Sequence, residues 1–336
     1  MEKALLEPHT KRSDDTKNIE DGITFRGAIK ELLPAVGLGY LFSIFERIGN
    51  VTNLYFMSKS NDPLIVAGIG FGNTWMNMVS IGLSMCFSSG LSTLVAQAYG
   101  AGRLQLCSYR LHRGLIVTIL IFGIFLLSLL FFTPTLRLLK YEADLISITL
   151  SYAIVMIPSQ LGEALFVLLR NFAAGFQVFN LPVYIQIVFT IAETIISYVL
   201  IYHLELGFTG LGICRGISEI GRTITLFYFL KRDKAFQGTL SWFQEESFAW
   251  LADQIKYQFH TGMVAYIDYL TFIIGEMVVA SLGLIELDAS FCFISAYLIF
   301  LTLPLSVSQP ASSFMGMQSG RETPKKPKYI SELPAV

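Results

Sequence analysis

The sequence has 336 residues, of which 53% are hydrophobic and only 15% are charged, whereas about a quarter of an average soluble domain is charged. The 24 basic and 25 acidic side chains give a net charge of -1, which excludes the basic surface of a nucleic-acid-binding protein. The four cysteines form neither a CxxC motif nor a Cys/His cluster, so we predict no disulfide framework, no metal site and no cofactor. This composition is typical of an integral membrane protein.

Residues 1–27 are polar and of mixed charge, unlike a signal peptide, and we predict a disordered cytoplasmic tail. Windows of about 20 predominantly apolar residues then predict about eight transmembrane helices. In chain order they cover residues 32–56, 64–88, 114–132, 145–169, 181–202, 207–230, 258–282 and 289–309. The clearest is 114–132, which contains no charged residue and which we expect Pro134 to end.

The predicted fold class is therefore all-α, a polytopic membrane helix bundle. Only one sizeable polar segment interrupts the hydrophobic pattern after the tail, and it divides six spans from two. We predict an N-terminal six-helix bundle over 28–230, a cytoplasmic linker over 231–257, two helices of an incomplete second bundle over 258–310, and a cytoplasmic tail over 311–336.

The orientation follows from the basic residues in the loops, because loops rich in lysine and arginine stay in the cytoplasm. Arg103, Arg110 and Arg113 follow the second span, and further basic residues follow the fourth and sixth. The only basic residues in the loops on the opposite side are Lys59, Arg137 and Lys140. We therefore predict that both termini are cytoplasmic; the plasma membrane and an internal membrane both remain candidates.

Ionisable residues fall inside several predicted spans, where each ionised group would cost about 3 kcal/mol or more if it faced lipid. They must instead face protein or water, which predicts an aqueous path or binding cavity between the helices. These residues are Glu46, Glu163, Glu193, Arg215, Glu219, Arg222, Asp268 and Glu276. Arg215, Glu219 and Arg222 lie on one face of the sixth span, and we interpret them as a structural ion-pair set in which Glu219 pairs with either arginine.

Asp268 and Glu276 are eight residues apart in the seventh span, which places them about 80° apart around a helix, close enough to share one cavity. A desolvated carboxylate can bind a proton, Na⁺ or an organic cation in turn, which is the physical basis of antiport. Glu46, Glu163 and Glu193 are further candidates for binding substrate or the coupling ion.

The segment at the end of the second span reads Gly90-Leu-Ser-Thr-Leu-Val-Ala-Gln-Ala-Tyr-Gly-Ala-Gly-Arg103. It resembles the signature of the multidrug and toxic compound extrusion (MATE) transporters of the eukaryotic type. The core of the match is Gln97, Ala98, Tyr99, Gly100, Ala101 and Gly102. The resemblance implies two six-helix bundles related by an internal repeat. At an offset of 220 positions, Ser92-Thr93 meets Ser312-Ser313 and Gly100 meets Gly320.

The resemblance also implies a function. The expected activity is that of an antiporter that exports organic cations or other xenobiotics and metabolites, by alternating access, in exchange for H⁺ or Na⁺. In the eukaryotic branch an acidic residue early in the seventh span is linked to coupling, and Asp268 stands at that position. A second acidic position about a turn later is Ile273 here, so one coupling carboxylate is displaced to Glu276 or absent. The expected partners are a small, cationic organic substrate and the lipid bilayer.

The sequence departs from this family in its length, because the second bundle stops after two of six expected spans. A truncated gene model, a degenerate copy, and a short form that completes itself with a second copy or a full-length relative all remain open. The alternative functions are an inactive or regulatory MATE-like protein and a related lipid-linked flippase, which would need a cationic cleft. Walker A, HExxH and GxSxG motifs are absent, so we predict no enzyme activity.

Overall fold

A computed structural model of the chain describes residues 25–58, 63–138, 143–280 and 284–322. Within these ranges the chain forms ten α-helices and no strand, which confirms the predicted all-α class. In chain order the helices are α1 (Phe25–Ser58), α2 (Pro63–Met76), α3 (Gly82–Gly100), α4 (Leu104–Leu138), α5 (Ala143–Val155), α6 (Ile157–Gly175), α7 (Asn180–Tyr198), α8 (Gly207–Arg232), α9 (Leu251–Ala280) and α10 (Leu284–Glu322).

Two of the predicted spans depart from a regular, straight α-helix in the structure. The second consists of α2, a π-helical turn at Asn77–Ile81, and α3, which continues to Gly100. The fourth consists of α5 and α6, which are bent by 48° relative to each other. Pro158 explains this bend, because it lies in the first turn of α6 and has no amide hydrogen to continue the hydrogen-bond ladder of α5.

Several helices extend beyond their predicted ends. Pro134 does not end its helix, because α4 continues to Leu138; near a helix terminus a proline removes only one ladder hydrogen bond. Helix α10 likewise continues through Pro310, so residues 311–322 of the predicted tail are helical. Helix α1 begins at Phe25, inside the predicted N-terminal tail, whose residues 1–24 lie outside the described ranges, as do 323–336.

The segment between α8 and α9 is shorter than the predicted 231–257 and carries short 3-10 turns at Lys234–Phe236 and Glu245–Ser247. It is called the linker below and comprises residues 233–250.

Four helical segments of the described chain are long and apolar enough to cross a membrane, and the bent pair α5 and α6 raises this number to five. The four segments are Ile29–Asn53, Gly68–Gly100, Leu104–Leu138 and Asn180–His203. Helix α8 carries Arg215, Glu219 and Arg222 in its middle, which lowers its mean hydropathy. The count of eight spans remains a prediction.

Helix α3 lies at the centre of the molecule and packs against α4, α6, α9 and α10. Its Leu91 and Val95 are fully buried, together with Phe172 of α6 and Leu226 of α8. Phe236 of the linker belongs to the same core cluster. The linker is therefore packed onto the bundle at the end of the molecule where α3 ends and α4 begins.

The C-terminal ends of α3 and α10 meet in a close backbone contact, which we call the glycine seam (Gln97, Gly100, Met317 and Gly320). A Cβ atom on Gly100 would overlap the Met317 carbonyl oxygen, and one on Gly320 would overlap the Gln97 carbonyl oxygen. At the offset of 220 positions, Gln97 corresponds to Met317 and Gly100 corresponds to Gly320, so the two contacts are equivalent in the two copies. Each helix therefore presents the same positions to the other, which supports the internal repeat.

Candidate functional site

A polar cavity lies inside the first bundle, between α1, α6, α7 and α8. We call its lining the N-bundle cluster: Glu46, Gly49, Asn50, Asn53, Glu163, Gln186, Thr190, Glu193, Arg215, Glu219 and Arg222. It brings together three candidate carboxylates, Glu46, Glu163 and Glu193, that are far apart in sequence. It contains four glutamates and two arginines, so acidic groups are in excess.

Helical spacing explains why these side chains converge. Residues three, four and seven positions apart lie on one face of an α-helix. Helix α1 contributes positions 46, 49, 50 and 53, α7 contributes 186, 190 and 193, and α8 contributes 215, 219 and 222. Three polar stripes therefore face one another inside an otherwise apolar bundle.

The two arginines of α8 form ion pairs with different glutamates. Arg222 pairs with Glu219 on its own helix and donates a hydrogen bond to Gln186 of α7. Its guanidinium also lies 4.3 Å from the ring centroid of Phe166. Arg215 instead forms an ion pair at 3.7 Å with Glu163 of α6. Of the two arginines, only Arg222 pairs with Glu219, and Arg215 ties α8 to α6.

Glu193 has a neutral partner, and Glu163 has a distant one. The amide of Asn53 donates a hydrogen bond of 2.9 Å to Glu193. Oε2 of Glu163 is buried and accepts no hydrogen bond within the described part of the chain, with Arg215 at 3.7 Å. Glu163 therefore has unused capacity to accept a proton or a cation.

A glycine holds α6 against α8 beside the cluster. A Cβ atom on Gly162 would lie 2.8 Å from the main-chain carbon of Glu219, so only glycine allows this approach. The hydroxyl of Thr223 donates a hydrogen bond of 2.7 Å to the Gly162 carbonyl oxygen. Because Gly162 precedes Glu163, this contact fixes the carboxylate opposite Arg215.

The free space in the N-bundle cluster is small. The cavity has room of about 20 Å³ for a water-sized particle, which corresponds to about one water molecule. A proton, a water molecule or a small cation fits there, but an organic substrate does not. Although four glutamates line this cavity, no group of three or more His, Cys, Asp and Glu side chains within the described ranges is arranged so that it could hold a metal ion.

The structure places Asp268 away from this cluster. Helix α9 faces α3 through Gly262, which abuts the Cys86 carbonyl, and through Tyr266, whose hydroxyl donates to the Met78 carbonyl oxygen at 3.1 Å. Asp268 follows two residues later, about 200° around the helix, and is exposed. The side chain of Glu276 is outside the described part of the chain, so the predicted cavity shared with Asp268 remains a prediction.

The neutral members of the cluster, among them Asn50, Asn53, Gln186 and Thr190, were not singled out from the sequence. Their spacing in the sequence could have identified them, because each lies one or two helical turns from a charged residue of the cluster on the same helix. The charged residues alone identify the cavity but not its hydrogen-bond network.

Comparison with known proteins places this architecture in a family. The MatE family model matches residues 29–199, which is just over half of the chain. Multidrug and toxin extrusion protein 1 of Mus musculus is 23% identical over 265 residues, covering 78% of this chain and 46% of the relative. The Homo sapiens protein of the same name is 22% identical, covering 93% of this chain and 55% of the relative. The chain thus spans about half the length of these curated relatives.

Solved structures show the same fold. The eukaryotic MATE transporter AtDTX14 superposes with a TM-score of 0.79 at 16% identity, covering 88% of this chain and 66% of that one. The Vibrio cholerae MATE transporter VcmN in its bent form gives 0.72 at 18% identity, covering 87% and 66%. With its helical bundle and the signature at the end of α3, the chain belongs to the MatE family of membrane transporters, not to a family of enzymes.

Proposed function

We propose that this chain takes part in the export of small organic cations by antiport, in exchange for H⁺ or Na⁺, with the N-bundle cluster as the binding site of the coupling ion. The observation that supports this most directly is the excess of glutamates over arginines in a cavity enclosed by membrane helices. Buried ionisable groups in membrane helices are costly and mark ion pathways.

The coupling ion is assigned to this cluster because of the cavity's size and the state of Glu163. A space of about 20 Å³ admits a proton carrier or a small cation. Protonation of Glu163 would weaken its ion pair with Arg215 and so loosen the contact between α6 and α8. Occupancy of the cluster is thereby linked to helix packing, as coupling requires.

We assign the organic substrate to a different place, the exposed face of α9 that carries Asp268. An acidic group there favours a cationic ligand, and the curated relatives are named for extrusion of multiple drugs and toxins. Glu276, eight residues later in the sequence, is proposed as a further residue for binding the substrate or the coupling ion. A lipid-linked flippase would need a cationic cleft, which the acidic N-bundle cluster does not provide.

The glycine seam is proposed as the closure on the side predicted to be cytoplasmic. In transporters with repeated bundles, the two halves rock against each other around a central site. The seam joins the ends of α3 and α10 through the family signature, so its opening would connect the site to the cytoplasm.

The proposal is tested by flux into proteoliposomes that carry an imposed gradient of either pH or Na⁺, with a fluorescent organic cation as substrate. We expect gradient-driven flux in the native protein, loss of coupling in Glu163→Gln, and weakened substrate binding in Asp268→Asn. Glu205→Gln, in an exposed loop, and Asp253→Asn, exposed at the start of α9, are the matched controls. An absence of flux under both gradients contradicts antiport by this chain and favours the inactive or regulatory alternative. Normal coupling in Glu163→Gln contradicts only the assignment of the cluster.

A further inference from the structure

The linker is fixed to the first three turns of α4 by side-chain hydrogen bonds. The hydroxyls of Ser108 and Ser241 are 2.7 Å apart. The two ring nitrogens of His112 contact the Ser247 hydroxyl and the Ser241 carbonyl oxygen, each at 2.9 Å, and the ring stacks on Phe243 at 4.3 Å. The linker therefore forms a wall held firmly against the bundle.

Between this wall and α4 lies an open cavity of about 640 Å³, which we call the linker groove. Its charged lining consists of Arg103, Arg110 and Arg113 from the α4 side and Glu246 from the linker, with Trp250 beside it. Three cations against one carboxylate make the groove basic. Arg113 donates a hydrogen bond of 3.0 Å to the Glu246 carbonyl oxygen, so the two walls are joined there.

The first turn of α4 adds to this positive potential. Residues 104–106 line the groove. The amide groups in the first turn of a helix have no hydrogen-bond acceptor within the helix. They contribute the positive end of the helix dipole beside the arginines. A phosphate group is the ligand that this combination of amides and guanidinium groups suits best.

The depth of the groove matches the lipid headgroup layer. The uncharged stretch 114–132 starts directly after Arg113, so Arg110 and Arg113 lie within about 6 Å of the hydrocarbon edge along the helix axis. The phosphates of a bilayer lie in the polar layer just outside that edge.

The linker exposes three aromatic side chains, of which Trp250 lines the groove. Trp242 is 91% exposed, Phe248 60% and Trp250 50%. Aromatic side chains of this kind are unfavourable in water, and tryptophan is favoured at the membrane-water interface. Their presence beside a basic groove fits a lipid surface better than a soluble anion.

We propose that the linker groove binds the headgroup of one anionic phospholipid from the leaflet in which α4 begins, predicted to be the cytoplasmic one. Arg103 binds the phosphate, and Arg110 and Arg113 add positive charge behind it while their guanidinium groups donate to the main-chain carbonyl oxygens of Leu94 and of Glu246 and Ser247. The linker aromatics lie in the surrounding headgroup layer. This site is separate from the N-bundle cluster and does not depend on the transport proposal.

The proposal is tested by native mass spectrometry of the full chain released from nanodiscs that contain phosphatidylcholine and phosphatidylserine. We expect the native protein to retain phosphatidylserine preferentially, and Arg103→Gln to bind it about fivefold more weakly, since a basic residue at the membrane surface contributes on the order of 1 kcal/mol. Arg137→Gln, exposed near the opposite end of the same helix, is the matched control and should retain the lipid normally. Equal retention of the two lipids by the native protein, or unchanged retention by Arg103→Gln, would overturn the proposal.

A second measurement covers the case in which the variant does not fold. Trp250 can be observed alone after Trp75→Phe and Trp242→Phe, because the chain has three tryptophans. Brominated phosphatidylserine should quench its fluorescence more strongly than brominated phosphatidylcholine, and equal quenching contradicts an anionic site. In detergent, short-chain phosphatidylserine should raise the melting temperature and inorganic phosphate should not. An equal rise with phosphate, or with a soluble acidic peptide, would assign the groove to a soluble anion instead.

Discussion

The ion pair between Arg222 and Glu219 allows the electrostatics of the N-bundle cluster to be tested quantitatively. Arg222→Met removes the cation and leaves the Glu219 carboxylate, which is 4% exposed, without its partner. Breaking a buried ion pair in this way costs about 3 to 5 kcal/mol. Gln186 also loses its donor, and that loss is part of the same cost.

The reciprocal change should cost less. In Glu219→Leu, Arg222 keeps its hydrogen bond to Gln186 and its position over the ring of Phe166, a contact worth about 2 kcal/mol when desolvated. The double variant removes both charges and should lie within about 1 kcal/mol of the native protein, because apolar groups of similar volume replace a buried pair at little cost. The two single effects should therefore be strongly non-additive.

Unfolding can be followed through the buried thiols. Cys86, Cys107 and Cys214 are buried and free, so a thiol-reactive dye reports their exposure during heating or during titration with SDS. Arg232→Met, exposed at the end of α8, is the matched control and should change stability by less than about 0.5 kcal/mol. If the single changes simply add up in the double variant, the two side chains do not act as a pair and the reasoning is refuted.

Three further changes test the packing around the two sites. Gly162→Val should destabilise the protein by about 1 to 3 kcal/mol through its clash with Glu219. Gly123→Val on α4 should not, because a Cβ atom there would meet no atom of another residue outside its own helical turn within 4 Å. Equal thiol exposure of the two variants on heating would contradict this. Gly100→Leu should separate α3 from α10 and increase labelling of a cysteine placed at Met317; unchanged labelling would show that the seam absorbs the side chain. His112→Ala should release the linker, seen as faster proteolysis of residues 233–250, and a native cleavage rate would mean that the remaining contacts suffice.

The helices themselves were largely predictable, because a bilayer permits few structures and hydrophobic length is read directly from sequence. The bend between α5 and α6 was not, since residues 145–169 form one apolar window and Pro158 lies within it. A proline in a membrane helix leaves the helix continuous in some contexts, as Pro134 does in α4, and breaks it in others. Tertiary contacts decide between these outcomes, and a single sequence does not report them.

The charged members of the candidate site were predictable from the sequence, but its neutral members and the pairing of its charges were not. Charges within apolar windows identified Glu46, Glu163 and Glu193 because each would be costly in lipid. Helix spacing suggested pairing inside α8, yet Arg215 reaches Glu163 of α6 instead. Which residue faces which helix depends on the rotation of each helix about its axis, and the hydrophobic pattern sets this rotation only loosely when all sides are apolar.

The glycine seam sets the distance between α3 and α10 by the thickness of two backbones. Side chains can change rotamer and so allow a graded range of separations, whereas main-chain atoms in direct contact allow none. The two helices are therefore either in contact or fully apart, because a small separation would leave a gap too narrow for water and lose the van der Waals contacts. A contact of this kind behaves as a hard stop, and because the same positions supply it from both helices, neither copy of the repeat can acquire a side chain there without displacing the other.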